Sequence, residues 1–243
     1  MGETGAMERH YDTFKSRVLG GRQIEYLWFG RSGRPLVMFP TSGGRFHENE
    51  DRNLVGSLAD YVDEGRLQVC CIDAYNDETW NNTRLPPVER VQRHDLFDRY
   101  LSEELFPMVA ARAGRGDTAV YGASMGGYHA VNFAARHPEQ VKRCIALSGL
   151  FDNRRMLDGH WDDLCYYHCP TCFVPNMDEG WSRRLAQVEW VIATGEQDSL
   201  VHETRGFAHV LRSKGIPVHC EVWPGVFGHD WPFWKEHLRR FLP

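Results

Sequence analysis

The chain has 243 residues, of which 42% are apolar and 25% charged, with a formal net charge of −5 at pH 7. This is the composition of a globular protein, and it excludes a disordered, collagen-like or coiled-coil chain. Phosphate binding depends on a concentrated basic surface, which an acidic balance does not favour. Nucleic acid is therefore not an expected partner.

The cysteine content and the apolar runs indicate the cellular compartment in which the protein is expected. The seven cysteines are an odd number, and a chain of this size needs no disulfide framework to fold, so reduced thiols are expected. No apolar run reaches the roughly 18 residues of a membrane span. The first residues also lack the basic start and apolar core of a secretory signal. These features predict a cytoplasmic protein without a membrane partner.

Short apolar runs alternate with helical stretches along most of the chain, which is typical of a parallel sheet covered by helices. The first two runs flank Gly20 and Gly21 and are predicted to form an antiparallel hairpin. The predicted strands cover residues 12–19, 22–29, 35–39, 67–73, 118–122, 144–149, 190–195 and 218–223. The predicted helices cover residues 51–63, 95–112, 126–136, 201–214 and 231–241. This pattern predicts an α/β fold with about eight mostly parallel strands and helices on both faces.

No repeat or linker divides the chain, so residues 1–243 are predicted to form a single domain. Residues 150–188 interrupt the alternation because they are rich in aromatic, Asp, Cys and His residues and show little regular pattern. The segment is too long for a simple connection. We interpret it as a lid or insertion.

The sequence G-A-S-M-G, residues 122–126, lies between a predicted strand and a predicted helix. In this context G-x-S-x-G forms a nucleophile elbow, in which glycines allow a turn too tight for a Cβ atom. The turn exposes the hydroxyl of Ser124 at the end of the sheet, beside the N-terminus of a helix. Ser124 is therefore the predicted nucleophile.

A serine nucleophile needs a histidine to accept its proton and a carboxylate to orient that histidine. In this type of fold the chain order is Ser, acid, His, and the histidine follows the last strand. His229 occupies that position, and Asp198 follows the preceding strand. Glu196 and Asp152 remain alternatives for the acid, because the first is close in sequence and the second follows the strand before.

Stabilisation of an oxyanion requires two backbone N–H groups near Ser124. The first is that of Met125, and the second is expected from Ser42 or Gly43 in the glycine-rich loop after the third strand. Trp231 and His129 are predicted to contact substrate, the first beside His229 and the second just beyond the nucleophile along its helix.

The elbow GASMGGYHAVNFAARHP, the loop FPTSGGRF and the ending GHDWPFW together resemble the putative-esterase branch of the α/β-hydrolase fold. That branch includes esterase D, enterochelin esterase and the mycolyltransferases. The resemblance implies ester hydrolysis through an acyl-enzyme without a cofactor. It places the family's nucleophile, histidine and acid on Ser124, His229 and Asp198, and its oxyanion donors on Met125 and the Ser42–Gly43 turn. Residues 150–188 do not resemble the substrate-binding segments of the better-known members, so the resemblance does not extend to the substrate.

Three cysteines and a histidine lie within eight residues of that segment: Cys165, His168, Cys169 and Cys172. Such a group has the ligand types of a structural zinc site, although four ligands on one short loop are sterically demanding. Packing cysteines and a local disulfide are the alternatives. We assign no metal and no cofactor.

The sequence thus predicts a serine carboxylesterase that acts on a small-molecule ester, with a homo-oligomer left open. An acyltransferase with an alcohol or thiol acceptor would use the same triad. A non-catalytic binding protein on the hydrolase fold is the alternative from a different class.

Overall fold

A single sheet of eight strands organises residues 7–242, which are the residues that the computed structural model describes. The strands are β1 (Arg9–Ser16), β2 (Arg22–Phe29), β3 (Arg34–Met38), β4 (Leu67–Ile72), β5 (Ala119–Ala123), β6 (Arg143–Leu147), β7 (Glu189–Gly195) and β8 (Val218–Trp223). Their order in the sheet is β1-β2-β4-β3-β5-β6-β7-β8. The predicted number of strands is confirmed.

Strand direction divides the sheet into two parts. β2 pairs antiparallel with both β1 and β4. The other neighbouring pairs, from β4–β3 to β7–β8, are parallel. Because parallel strands end at the same edge, the loops that follow β3, β5, β6, β7 and β8 gather at one side of the sheet. The predicted α/β class with a mostly parallel sheet is confirmed.

Helices cover both faces. They are α1 (Glu48–Asp51), α2 (Ala59–Asp63), α3 (Pro87–Tyr100), α4 (Phe106–Ala113), α5 (Met125–Arg136), α6 (Asp163–Tyr167), α7 (Pro170–Phe173), α8 (Glu179–Leu185), α9 (Val201–Ser213) and α10 (Trp231–Arg240). Buried side chains of α3, α4, α5 and α9 pack on one face of the sheet, and those of α2 and α10 pack on the other. None of the helices in residues 7–242 has both the length and the apolar character that crossing a membrane requires.

The first hairpin differs from its prediction. β1 ends at Ser16 rather than at residue 19, and Ser16 pairs with Arg22, so the connection is a five-residue loop instead of a tight Gly20-Gly21 turn. The cause is Glu104, whose carboxylate accepts hydrogen bonds from the Ser16 hydroxyl and from the backbone N–H of Arg17. These bonds draw the chain away from β2 before the glycines are reached.

Two predicted helices have different boundaries. The helix expected over 51–63 is broken into α1, a 3-10 turn and α2, because Asn53 adopts a left-handed φ of 56° that ends the first turn. The helix expected over 95–112 begins earlier, at Pro87, where a proline at the first position suits a helix start. It is also interrupted by a π-helical turn over Leu101–Leu105. Its first half escaped prediction because several of its buried residues are polar, among them Arg90 and His94.

The segment 150–188 contains three short helices, α6, α7 and α8, where no regular structure was predicted. His168, between α6 and α7, is completely buried, and its ring bonds to Asp95 on α3 and Asn132 on α5. The carbonyl of His168 also accepts the Tyr128 hydroxyl at 2.9 Å. The segment is thus anchored to the two helices nearest the elbow.

Three buried histidines meet at this anchor. The ring of His94 lies 5.4 Å from that of His129 and 4.7 Å from that of His168, measured between centroids. Burial lowers the pKa of all three, that of His129 to about 3, because a charged imidazolium loses its hydration there. All three are therefore neutral in the folded protein at pH 7.

We expect this cluster to make the fold sensitive to acid. Below about pH 6.5 the unfolded chain protonates its histidines while the folded chain does not, so the free energy of unfolding falls. The loss between pH 7 and pH 5 is up to about 2 kcal/mol per histidine. Urea denaturation at pH 7 and at pH 5 measures this loss of unfolding free energy. Both pH values lie above the range in which most carboxylates titrate. His129→Gln should reduce the loss, whereas His202→Gln, on an exposed side chain, should not. Equal stability at both pH values would contradict this prediction.

Candidate active site

Ser124 stands between β5 and α5 in a strained conformation, with φ 56° and ψ −120°. This backbone geometry is rare for a residue with a side chain and marks a functional turn. The turn is tight: a Cβ atom on Gly122 would lie 1.9 Å from the Gly126 carbonyl oxygen, and one on Gly126 would lie 2.6 Å from that of Pro40. Both glycines of the motif are therefore required by close backbone contacts.

Gly122→Ala should consequently destabilise the protein by more than about 3 kcal/mol, because the clash is with backbone that cannot move aside. Gly206→Ala on α9 is the matched control, since a Cβ atom there meets no atom within 4 Å. That change should be neutral or stabilise by up to about 1 kcal/mol. Thermal unfolding of both variants tests the pair, and similar midpoints for the two would contradict the expected clash.

The structure brings Ser124, His229 and Asp198 together. His229 Nε2 lies 3.1 Å from Ser124 Oγ, and His229 Nδ1 lies 3.1 Å from each carboxylate oxygen of Asp198. The three residues come from the loops after β5, β7 and β8, at the edge where the parallel strands end. This is the geometry in which a histidine can take a proton from a serine hydroxyl.

Asp198 is held as an ionised group. Its side chain is buried, and burial by itself would raise the pKa of the carboxyl. Hydrogen bonds from His229, from the Leu200 N–H at 2.9 Å and from the Thr194 hydroxyl at 2.6 Å outweigh that effect, and the pKa lies below its ordinary value. Asp198 therefore stays negative at neutral pH and can stabilise a protonated His229.

Ser148, at the end of β6, positions the loop that carries His229. Its hydroxyl donates to the carbonyl of Gly228 and accepts the indole N–H of Trp234 at 3.1 Å. The Trp234 ring in turn meets the His229 ring edge to face, 5.4 Å between centroids. Ser148 is buried and has a φ of 52°. The sequence did not single out Ser148 or Trp234 for this role; the one signal was the strand ending Leu-Ser-Gly beside the expected site.

The alternative acids have other partners. Glu196 is exposed and accepts the backbone N–H of Gly225 at 3.0 Å. Asp152 forms an ion pair with Arg154. Neither carboxylate is hydrogen bonded to His229, so the geometry favours Asp198 over both.

The loop after β3 reaches the elbow through the carbonyl groups of Phe39 and Pro40, which lie against Gly126. Its turn is held by Asn81, whose amide donates to the Ser42 carbonyl at 2.8 Å. Asn81 was not predicted. The Met125 N–H is the first of α5 and so has no acceptor within the helix.

A family model described as "Putative esterase" matches residues 50–243. The chain belongs to this esterase family. A search of curated protein sequences found no match.

Solved structures share the fold of this esterase-family chain. A ferulic acid esterase has a TM-score of 0.77 at 21% identity, with 98% of this chain and 97% of that one covered. The fluorophosphonate-binding serine hydrolase F of Staphylococcus aureus has 0.70 at 17% identity, covering 98% of each chain. An S-formylglutathione hydrolase of Agrobacterium tumefaciens has 0.72 at 16% identity, covering 97% of this chain and 94% of that one. At these identities the likeness shows the α/β-hydrolase fold.

The two predicted substrate contacts of the esterase-family chain have different surroundings. Trp231 is half-buried at the start of α10, where its ring meets Trp234 at 5.0 Å and the Arg52 guanidinium at 5.6 Å. His129 is only 2% exposed and bonds through Nε2 to Asn76. Contrary to the prediction, His129 is a core residue, because its position on α5 turns it towards α3 rather than towards the mouth of the site.

The four candidate zinc ligands of the family member do not converge. His168 is engaged with Asp95 and Asn132, as described above, and Cys165 is buried near Met125 and Leu157. Only Cys169 and Cys172 lie together, with their sulfur atoms 2.7 Å apart. A site built from all four residues would require His168 to leave its buried hydrogen bonds.

Proposed function

We propose that this protein is a serine carboxylesterase that hydrolyses carboxylic esters through an acyl-enzyme on Ser124. The observation that carries the proposal is the position of His229, in hydrogen-bond reach of the Ser124 hydroxyl on one side and of the ionised Asp198 on the other. Membership of the esterase family supports the same reaction class.

In the first half of the reaction Ser124 Oγ attacks the ester carbonyl while its proton passes to His229 Nε2. The resulting imidazolium is stabilised by Asp198, which remains ionised. The negative charge on the carbonyl oxygen is met by the Met125 N–H and the positive end of α5, with Ser42 or Gly43 as the second donor. His229 then delivers the proton to the leaving alcohol.

In the second half water takes the place of the alcohol. His229 accepts a proton from the water as it attacks the acyl carbonyl, and the same donors stabilise the second oxyanion. The proton returns to Ser124 Oγ when the acid leaves. No cofactor is needed for either half.

A cavity of about 330 Å³ beside the Ser42–Gly43 turn is the proposed binding region. Charged groups of Arg22, Arg45, Asp73 and Glu78 line it. A long alkyl chain would have to displace water from these charges, which is unfavourable. We therefore expect p-nitrophenyl acetate to be hydrolysed with a higher kcat/KM than p-nitrophenyl octanoate. A preference for the longer ester would place the acyl group elsewhere.

A fluorophosphonate probe tests the nucleophile directly, because it reacts with an activated serine and not with ordinary hydroxyl groups. The expected result is one adduct, located on Ser124 by peptide mapping, together with loss of ester hydrolysis. A folded protein that stays unlabelled would instead support the non-catalytic alternative. Hydrolysis in the presence of an added alcohol, with the products separated, distinguishes hydrolysis from acyl transfer.

A further inference from the structure

A pair of cysteines in the segment 150–188 is unexplained by the proposed reaction. Cys169 and Cys172 enclose Pro170 and Thr171 in the sequence Cys-Pro-Thr-Cys, and the Cys172 N–H bonds to the Cys169 carbonyl at 2.8 Å. This turn places both side chains on the same side. Their Sγ atoms are 2.7 Å apart. Carbon atoms in contact without a bond stay about 3.5–4.0 Å apart, and sulfur is larger, so the two thiols are closer than an ordinary non-bonded contact. Both cysteines carry free thiols in this structure.

The two thiols differ in exposure. Cys169 is fully buried, and burial raises the pKa of its thiol to about 12, with Cys172 adding to the effect. Cys172 is only half-buried. Thr171, between them, lines an open cavity of about 470 Å³ that extends towards α9. Because Cys172 is the partly exposed member of the pair, it is the thiol open to small molecules in solvent.

Cys169 has a carboxylate neighbour towards which its S–H group points. The Sγ atom of Cys169 lies 3.8 Å from Asp152 Oδ1, in the loop after β6. The hydroxyl of Thr171 donates to the Phe151 carbonyl at 3.3 Å, which holds the turn against the same loop. Both cysteines therefore lie on a turn that hydrogen bonds hold against the loop after β6.

We propose that Cys169 and Cys172 are a redox modification site that closes to a reversible disulfide by exchange with a low-molecular-weight disulfide. The Cys172 thiol loses its proton to solvent and attacks the small disulfide, whose S–S bond breaks to release one small thiolate. The Cys169 sulfur then attacks the Cys172 sulfur, forming the intramolecular bond and releasing the second small thiolate, which takes up the Cys169 proton. The two protein thiols are oxidised by two electrons, and the small disulfide is reduced to two thiols that take up the two protons.

Glutathione disulfide and dithiothreitol serve as the probes. After oxidation of the native protein, free thiols are blocked with an alkylating reagent under denaturing conditions and counted by mass spectrometry. We expect two of the seven thiols to be protected, the protein to be lighter by two hydrogen atoms before alkylation, and dithiothreitol to restore all seven. Cys165, Cys169 and Cys172 share the tryptic peptide 156–183, so its fragmentation pattern identifies the bonded pair.

Two variants separate this pair from general thiol oxidation. Cys220→Ser removes a half-buried thiol on β8 and should still protect two thiols. Cys172→Ser should protect none by an internal bond. The proposal is overturned if the wild-type protein keeps all seven thiols reactive, if it only accumulates a mixed disulfide on Cys172, or if the linked pair includes Cys165.

Discussion

Replacing Ser124 by alanine is expected to lower kcat/KM for p-nitrophenyl acetate by about 10⁴- to 10⁶-fold. In the proposed mechanism the oxygen of this hydroxyl bonds to the substrate, so no acyl-enzyme can form without it. What activity remains would come from the oxyanion donors acting on water. The variant should also lose reaction with the fluorophosphonate probe.

Folding of the Ser124→Ala variant is not expected to change, because alanine keeps the Cβ atom and the same strained φ of 56°. Circular dichroism and the thermal midpoint should match those of the wild-type protein, which separates a lost nucleophile from a lost fold. Retention of more than about one tenth of the wild-type rate would reject Ser124 as the nucleophile.

Replacing Asp198 by asparagine is the second large effect, with an expected loss of about 10⁴-fold in kcat. Asparagine has nearly the same shape but no charge, and its amide N–H₂ can face His229 Nδ1 as a donor. His229 would then carry its proton on Nε2, where it cannot accept one from Ser124. The Thr194 and Leu200 hydrogen bonds leave little freedom for the side chain to turn.

Glu196→Gln is the matched control for this change, because Glu196 follows the same strand and is bonded to the Gly225 N–H instead of to His229. Its kcat should remain within about threefold of the wild-type value. Asp152→Asn should behave similarly, since Asp152 faces Arg154. A greater loss in either control than in Asp198→Asn would move the acid to that residue.

The sequence was a good guide to the sheet and to the residues at its edge. Buried parallel strands are nearly continuous apolar runs, as at residues 67–72, so their positions are readable from composition alone. The elbow is readable because a backbone contact as close as that of Gly122 admits no other residue. His229 followed from chain order, which the fold constrains.

Other features depended on partners far away in the chain. The end of β1 is decided by hydrogen bonds to Glu104. The first half of α3 was missed because its residue His94 is buried against His129 and His168, and no local pattern reveals that burial. His129 was placed at the site by its distance along the helix, whereas its direction depends on how α5 packs against α3. Ser148 and Asn81 act by hydrogen bonds to loops that lie far from them in the sequence.

The sequence by itself determined the fold class and the placement of Ser124 in a tight strand–helix turn, because local sterics and strand burial leave a direct signature in residue type. Only the tertiary structure decided which carboxylate meets His229, separated the four supposed zinc ligands and brought Cys169 and Cys172 together. These outcomes depend on side-chain directions over a few ångströms. Such directions follow from the packing of the whole chain, in which each loop is positioned by elements distant in sequence.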